Sequence, residues 1–150
     1  RVVASPDPLK IVEAESIRAV VDAGIIPVCC GGGGVPVIRD SSTGLYTGAQ
    51  AVIDKDLCAA ILARETGAEL LVIATDVDGV YTDWGTPRQR RIDHAKPSDL
   101  ERSRFANGSM GPKVRAACRF VRRTGQRAVI GSLEDIGDIV AGRAGTLIEP

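Results

Sequence analysis

The stretch AVIDKDLCAAILA, residues 51–63, constrains the fold of this 150-residue chain more than any other. From Leu57 to Ala63 every residue is apolar or small, and a helix that is apolar on all sides is a buried helix. The run ELLVIA, residues 69–74, follows closely and is typical of a strand in a parallel sheet that is covered on both faces. Together they predict an α/β fold.

Strand-like and helix-like patterns alternate along the rest of the chain, which predicts a mainly parallel sheet. The predicted strands cover residues 1–5, 25–30, 69–74, 127–130 and 145–149. The predicted helices cover residues 11–23, 54–67, 98–105, 112–125 and 133–140, and a hairpin joins residues 35–38 to 45–47. For the helix starts we expect Ser98 as an N-cap with Glu101 in a capping box, and Pro112 at a first helical position.

Composition excludes several classes of partner. The net charge is zero and aromatic residues make up 3% of the chain, which argues against nucleic-acid binding and base-stacking surfaces. No apolar run reaches membrane-spanning length. Because Cys58 and Cys118 fall on apolar helix positions, we expect buried free thiols and a reducing cytoplasm.

Two lysines stand where a helix dipole disfavours them. Lys55 and Lys113 each fall in the first turn of a predicted buried helix, where the dipole favours anions. The two could therefore converge on a polyphosphate, whose transfer needs positive charge on the phosphoryl oxygens. One alternative is that both lysines are solvated. Another, for the first of them, is that Asp54 merely caps the helix while Lys55 pairs with a neighbouring carboxylate.

Four consecutive glycines, residues 31–34, follow the strand predicted at 25–30. Glycine backbone can approach a ligand or another chain segment closely, and its N–H groups can form an anion-binding nest. The run matches neither GxGxxG nor a Walker A motif. Since ordering four glycines is entropically costly, we expect a ligand or a close backbone approach rather than a plain loop.

Asp76 and Asp78 follow the apolar strand, at the strand end where α/β proteins bind ligands. The segment LLVIATDVDGVYTD resembles the first motif of haloacid-dehalogenase-like phosphatases, in which Asp76 would be the nucleophile and Asp78 the general acid. That family also needs a later acidic metal motif, and Gly137-Asp138 lacks a second carboxylate. An EF-hand fails as well, since Val80 and Pro87 stand where ligands are needed.

The polar segment after this strand holds the remaining candidates. His94 is expected to be exposed and without a role, and Trp84 and Tyr81 could cover an adenine or serve in packing. Three arginines are read as a solvated loop face, although one could serve a nucleotide. They are Arg88, Arg90 and Arg91.

Several long stretches resemble the second half of the carbamate kinase family, a branch of the amino acid kinase superfamily. In chain order they are RVVASPDP, CCGGGGVPVI, AVIDKDLCAAILA, LLVIATDVDGVYTDWGTP, FANGSMGPKVRAA and AVIGSLEDI. The resemblance covers essentially the whole chain. It implies the three-layer α/β/α fold of that superfamily, of which residues 1–150 would form the C-terminal, nucleotide-binding half.

The resemblance also implies a reaction. Such enzymes transfer a phosphoryl group reversibly between ATP and carbamate, giving ADP and carbamoyl phosphate, with Mg²⁺. Lys55 and Lys113 would neutralise the transferring group, and Asp56 would hold the two lysines in place. The carbamate and the γ-phosphate would lie beside Gly31, Gly32, Gly33 and Gly34. The nucleotide pocket would be lined by Thr75, Asp76, Val77, Asp78, Gly79, Tyr81, Met110 and Lys113.

The same resemblance sets expectations for the rest of the enzyme. The family's first glycine-rich loop and a further active-site lysine lie upstream of the position of Arg1. We therefore expect the 150-residue chain to be inactive alone, and the full-length enzyme to be a cytoplasmic homodimer. The expected ligands are small molecules (ATP, carbamate and carbamoyl phosphate), with no nucleic-acid or membrane partner and no metal ligand assigned in the protein. The nearest alternative is another kinase of the same superfamily.

Overall fold

The computed structural model describes residues 2–103, 105–106 and 108–150 and confirms the α/β prediction. It divides into two compact units, Arg1–Thr66 and Gly67–Pro150, which we describe separately. In the described part of the chain, no helix combines the length and apolar character needed to cross a membrane.

The first unit holds two helices and a hairpin. They are α1 (Ala14–Asp22), β1 (Val37–Arg39), β2 (Tyr46–Gly48) and α2 (Lys55–Thr66). The β1–β2 hairpin was predicted, and Asp40 fixes its turn by accepting hydrogen bonds from the backbone and hydroxyl groups of Ser42 and Thr43. α2 packs against α1 and buries Asp56, Leu57, Cys58, Ala60 and Ile61. The buried helix predicted near Asp54 is therefore confirmed.

Two strands predicted in this unit do not form. Of residues 2–5, only Ala4 forms a bridge, to Ala51, because Pro6 and Pro8 cannot donate to a longer ladder. Arg1 lies outside the described residues. Residues 25–30 pair with no described strand, and Ile26 and Val28 are 91% and 100% exposed. A strand needs a neighbouring strand for its backbone hydrogen bonds, and Pro27 removes one donor as well.

The second unit is built on a four-stranded sheet. Its strands, in spatial order, are β3 (Leu70–Thr75), β7 (Arg127–Ser132), β8 (Thr146–Ile148) and β6 (His94–Ala95). β3 pairs with β7 in parallel and β6 with β8 in parallel, whereas β7 and β8 are antiparallel. The prediction of a mainly parallel sheet is thus confirmed. β3 itself is buried at Leu71 and Ile73 but exposed at Ala74, so the predicted cover on both faces is incomplete.

Beside this sheet lie a second hairpin and three helices. They are β4 (Val80–Thr82), β5 (Arg90–Ile92), α3 (Pro97–Arg102), α4 (Met110–Thr124) and α5 (Ile136–Val140), the last preceded by a 3-10 turn at Leu133–Asp135. α4 packs against β7 and β3, and its predicted buried face of Val114, Ala117, Cys118 and Val121 is confirmed. Gly125 ends α4 in the left-handed conformation, as predicted.

Two predicted helix starts are wrong. α3 begins at Pro97, because the fixed φ of proline suits a first helical position, and Lys96 precedes it. The Ser98 hydroxyl donates to Asp99 instead of capping the helix, so Ser98 and Glu101 form no capping box. α4 begins at Met110, two residues before Pro112, which occupies its third position. That is still within the first turn, where a missing N–H is tolerated. Arg104 and Asn107, which belong to the predicted helix at 98–105 and to the GSMGPK stretch, lie outside the described residues.

Candidate functional site

The glycine run is explained by a close backbone approach. Gly33 is buried with φ +130°, and a Cβ at that position would overlap the carbonyl oxygen of Ile53. The N–H groups of Gly33 and Gly34 donate to the carbonyl of Cys30 at 2.8 and 2.6 Å. Cys30 itself has φ +63°, which is uncommon for a residue with a side chain. The run is therefore folded onto the residues before α2, and three of its N–H groups, those of Gly31, Gly33 and Gly34, have partners within the protein.

Lys55 and Asp56 form an ion pair at the start of α2. The Lys55 side chain is 61% exposed, and its Nζ lies 3.8 Å from Oδ2 of Asp56, whose side chain is 11% exposed. Asp54 Oδ1 accepts from the backbone N–H groups of Asp56 and Leu57 at 3.0 Å, so Asp54 caps the helix, as the alternative interpretation has it. The structure therefore contains both parts of the alternative interpretation, a cap and a lysine–carboxylate pair. It also holds the side chain of Lys55 beside the carboxylate expected to orient it.

The cysteine thiols of α2 and α4 are protected from ionisation. Burial, a hydrogen bond to the Cys30 side chain and the nearby Cys30 and Glu65 charges raise the pKa of Cys58 to about 12. Burial also raises the pKa of Cys118, to about 11. Since both cysteines are free and buried, the prediction of buried thiols is confirmed.

These shifts predict how the thiols react. Because the thiolate is the nucleophile, native Cys58 should react with iodoacetamide about 1000-fold more slowly than in the unfolded chain near pH 8. The folded state should also lose stability as pH rises from 9.0 toward about 12, since the unfolded thiol ionises first. Mass spectrometry after brief labelling at several pH values, with urea-unfolded protein as the control, measures the rates. Equal rates in the native and unfolded chain near pH 8 would show that Cys58 is not protected.

In the second unit, the segment after β3 carries most of the predicted nucleotide residues. Asp76 is exposed and accepts a hydrogen bond from the Thr75 hydroxyl at 3.0 Å. The Tyr81 hydroxyl donates to Asp78 Oδ1 at 2.8 Å, and this hydrogen bond raises the pKa of Tyr81. Tyr81 also contacts Trp84 edge to face, with ring centroids 5.1 Å apart. Trp84 remains 61% exposed, so an aromatic surface is available here.

Met110 and Lys113 lie in the first turn of α4, and both are half-buried. The first turn of α4 contains no acidic residue, so no carboxylate within this turn interacts with the positive end of the helix dipole. Lys113 therefore keeps the unusual position that the sequence predicts, a cation at the positive end of a 15-residue helix.

The strand order places the segment after β3 and the first turn of α4 at the same edge of the sheet. β7 runs parallel to β3, with Leu70 opposite Arg127 and Thr75 opposite Ser132. α4 ends just before β7 begins and packs along both strands, so its first turn lies toward their carboxyl ends. Thr75 and Asp76 leave β3 at that same edge, where open α/β sheets bind ligands.

Two residues that contribute to this edge were missed or misread from the sequence. Arg91, read as part of a solvated loop face, has Nε 3.2 Å from Asp78 Oδ2. Thr146 is fully buried, and its hydroxyl bonds to two neighbouring strands. A hydroxyl inside an otherwise apolar strand was the available signal for Thr146, because buried polar groups need partners. His94, by contrast, is exposed as predicted, with Nδ1 4.0 Å from Glu149.

The second unit also has a groove of about 420 Å³ between α3 and α4. Leu100, Phe105, Val114 and Cys118 form much of its apolar lining. The predicted nucleotide residues are not among those that line it, although Gly111 and Pro112 of the first turn of α4 are.

The described residues give the phosphatase interpretation no metal site. No group of three or more His, Cys, Asp or Glu side chains among them could hold a metal ion. The carboxylate of Asp78 is bonded to Tyr81 and Arg91, which leaves it poorly placed to act as a general acid.

Comparison with known proteins confirms the resemblance to carbamate kinases. The sequence pattern of the amino acid kinase family matches residues 3–132. The carbamate kinase of Haemophilus influenzae is 51% identical over 148 residues, which cover 99% of this chain and 47% of that relative. The chain thus spans about half the length of the curated relatives it matches.

Solved structures lead to the same group. The structure of carbamate kinase from Giardia lamblia bound to AMP-PNP superposes with a TM-score of 0.92 and is 38% identical. The match covers 97% of this chain and 52% of that one. UMP kinase from Bacillus anthracis superposes with a TM-score of 0.64 but is only 18% identical, over 91% of this chain and 50% of that one, so it shows the shared fold alone.

Proposed function

Because the chain belongs to the amino acid kinase family, we propose that it carries the nucleotide-binding half of a carbamate kinase. The reaction is the reversible transfer of the γ-phosphoryl group of ATP to carbamate, which gives ADP and carbamoyl phosphate. The observation that carries the proposal is the 51% identity to a carbamate kinase over 99% of this chain.

The proposed chemistry is electrostatic. Phosphoryl transfer depends on positioning and on positive charge that balances the oxygens of the transferring group. Lys55 and Lys113 supply that charge, and Asp56 orients the lysines. The 3.8 Å pair between Lys55 and Asp56 supports the orienting role. The place of Lys113 in the first turn of α4, where the helix dipole favours anions, supports an anion near it.

The nucleotide is assigned to the carboxyl edge of β3. From one side the pocket is lined by the segment after β3, and from the other by Met110 and Lys113 of α4. The residues of that segment are Thr75, Asp76, Val77, Asp78, Gly79 and Tyr81. The common edge shared by β3 and the first turn of α4 supports this assignment. Residues 31–34 are assigned to the carbamate and the γ-phosphate.

Magnesium enters this proposal as part of the substrate, MgATP. In nucleotide-dependent enzymes Mg²⁺ keeps several waters and is held largely by the substrate phosphates. We also assign the full-length enzyme to the cytoplasm as a homodimer, on the family resemblance.

The proposal is tested by completing the enzyme. Joining the upstream half of the Haemophilus influenzae relative to residues 1–150 of this chain gives a chimeric enzyme, and the intact relative is the positive control. We expect the chimera to form ATP from ADP and carbamoyl phosphate, while the 150-residue chain alone forms none. A folded, dimeric chimera without activity would contradict the proposed function.

An Asp76→Asn variant of the same chimera addresses the phosphatase alternative. Under the kinase assignment, the variant keeps measurable ATP formation, and neither protein hydrolyses phosphate monoesters. Phosphatase activity that disappears with Asp76 would favour the haloacid-dehalogenase interpretation instead.

A further inference from the structure

Arg91 lies at the centre of a polar cluster that holds the turn after β3 through hydrogen bonds and ion pairs. Its Nε lies 3.2 Å from Oδ2 of Asp78, and its Nη2 donates to the backbone carbonyls of Asp78 and Gly145 at 3.3 Å. It also forms an ion pair with Asp93. One side chain thus joins the turn, the end of β5 and the start of β8.

Both carboxylate oxygens of Asp78 have partners in this cluster. The Tyr81 hydroxyl donates to Oδ1 at 2.8 Å, while Arg91 contacts Oδ2. Asp76, two residues earlier, is exposed and accepts a hydrogen bond from the hydroxyl of Thr75. Both carboxylates of this segment are exposed, but they differ in their partners: Asp78 contacts Tyr81 and Arg91, and Asp76 the neighbouring Thr75.

The buried residue Thr146 holds the same turn through its hydroxyl group. Its side chain is fully buried, and Oγ1 accepts from the N–H of Val80 at 2.7 Å and donates to the carbonyl of Ile92. Gly79 makes room for this contact. A Cβ there would lie 2.8 Å from Thr146 Oγ1 and 3.1 Å from Arg91 Nε, closer than packed atoms tolerate.

We propose that Arg91 and Thr146 are positioning residues, which hold the segment 75–81 in the shape that receives the nucleotide. This inference rests on the proposed function, which assigns that segment to the nucleotide pocket. A binding segment that is already ordered loses less conformational entropy when its ligand binds. Breaking the cluster should therefore loosen the turn first and weaken nucleotide binding as a consequence.

The first arm of the test needs no nucleotide. Amide hydrogen exchange of residues 76–82 is compared between the wild-type chain, Arg91→Met and the control Arg90→Met, which changes an exposed arginine on the same strand. We expect exchange about tenfold faster in Arg91→Met and unchanged in Arg90→Met. Thr146→Val should accelerate exchange at Val80, and Thr146→Ser, which keeps the hydroxyl, should restore it. Unchanged exchange in folded Arg91→Met and Thr146→Val would overturn the proposed cluster.

The second arm measures MgADP affinity of the same proteins. We expect the Kd to rise about tenfold in Arg91→Met and Thr146→Val, equivalent to about 1.4 kcal/mol, and to stay unchanged in Arg90→Met and Thr146→Ser. Faster exchange with an unchanged Kd would overturn the positioning role and leave the proposed function intact. A folded wild-type chain that does not bind MgADP would overturn the positioning role together with the assigned nucleotide pocket. Arg91→Lys, which keeps the charge, should lie between the wild type and Arg91→Met in both arms.

Discussion

Replacing Lys113 with methionine should lower the kcat of the chimeric enzyme by about 10²–10³-fold. Methionine has a similar length but no charge, so the variant removes a cation that we assign to the transferring phosphoryl group. A single preorganised group that stabilises charge developing in the transition state typically contributes a factor of this size. Because Lys113 lies in the first turn of α4, whose dipole already favours an anion, both effects are expected to act on the same charge.

Lys96→Met provides the matched control for this prediction. Lys96 belongs to the same unit and is exposed just before α3, where its backbone carbonyl accepts from Asp99 N–H. That hydrogen bond does not depend on the side chain, so kcat should stay within about twofold of the starting enzyme. Steady-state rates of ATP formation measure both variants. If Lys113→Met kept the kcat of Lys96→Met, the catalytic role of Lys113 would be excluded.

Gly33→Ala should destabilise the first unit by about 3 kcal/mol. Gly33 has φ +130°, a conformation that costs a residue with a side chain about 1–3 kcal/mol. The added methyl group would also overlap the carbonyl of Ile53, so the backbone before α2 would have to move. This displacement would reach Lys55 and Asp56 directly, because they follow Ile53 in sequence.

Gly32→Ala separates this effect from a general loss of glycine flexibility. A Cβ at Gly32 meets no atom within 4 Å, so its free energy of unfolding should change by less than about 0.5 kcal/mol. Urea unfolding followed by circular dichroism gives both values. Equal stability of the two variants would mean that residue 33 does not approach Ile53 as closely as described.

Elements with local signals were predictable. α4 has four apolar residues at helical spacing and a terminal glycine, and both features were found where the sequence places them. The cap of α2 depends on Asp54 and the two residues after Lys55, so it too could be predicted from a few neighbouring positions. In such segments, the residues that decide the structure lie within one or two turns of each other.

Elements that depend on distant partners were not predictable. Residues 25–30 have the composition of a buried strand, yet no described strand pairs with them. Arg91 belongs to an arginine-rich polar run without periodicity, and it bonds to carbonyls 13 and 54 residues away. For the glycine run, composition predicted that the backbone would approach a ligand or another segment closely. It could not predict that the partner is Ile53.

Calorimetric titration of MgADP into the purified 150-residue protein tests most directly whether this chain carries a nucleotide site. We predict saturable binding with one site per chain, at the carboxyl edge of β3. Circular dichroism of the same sample establishes that the protein is folded. A folded sample that shows no saturable heat with MgADP would contradict a nucleotide site in this chain.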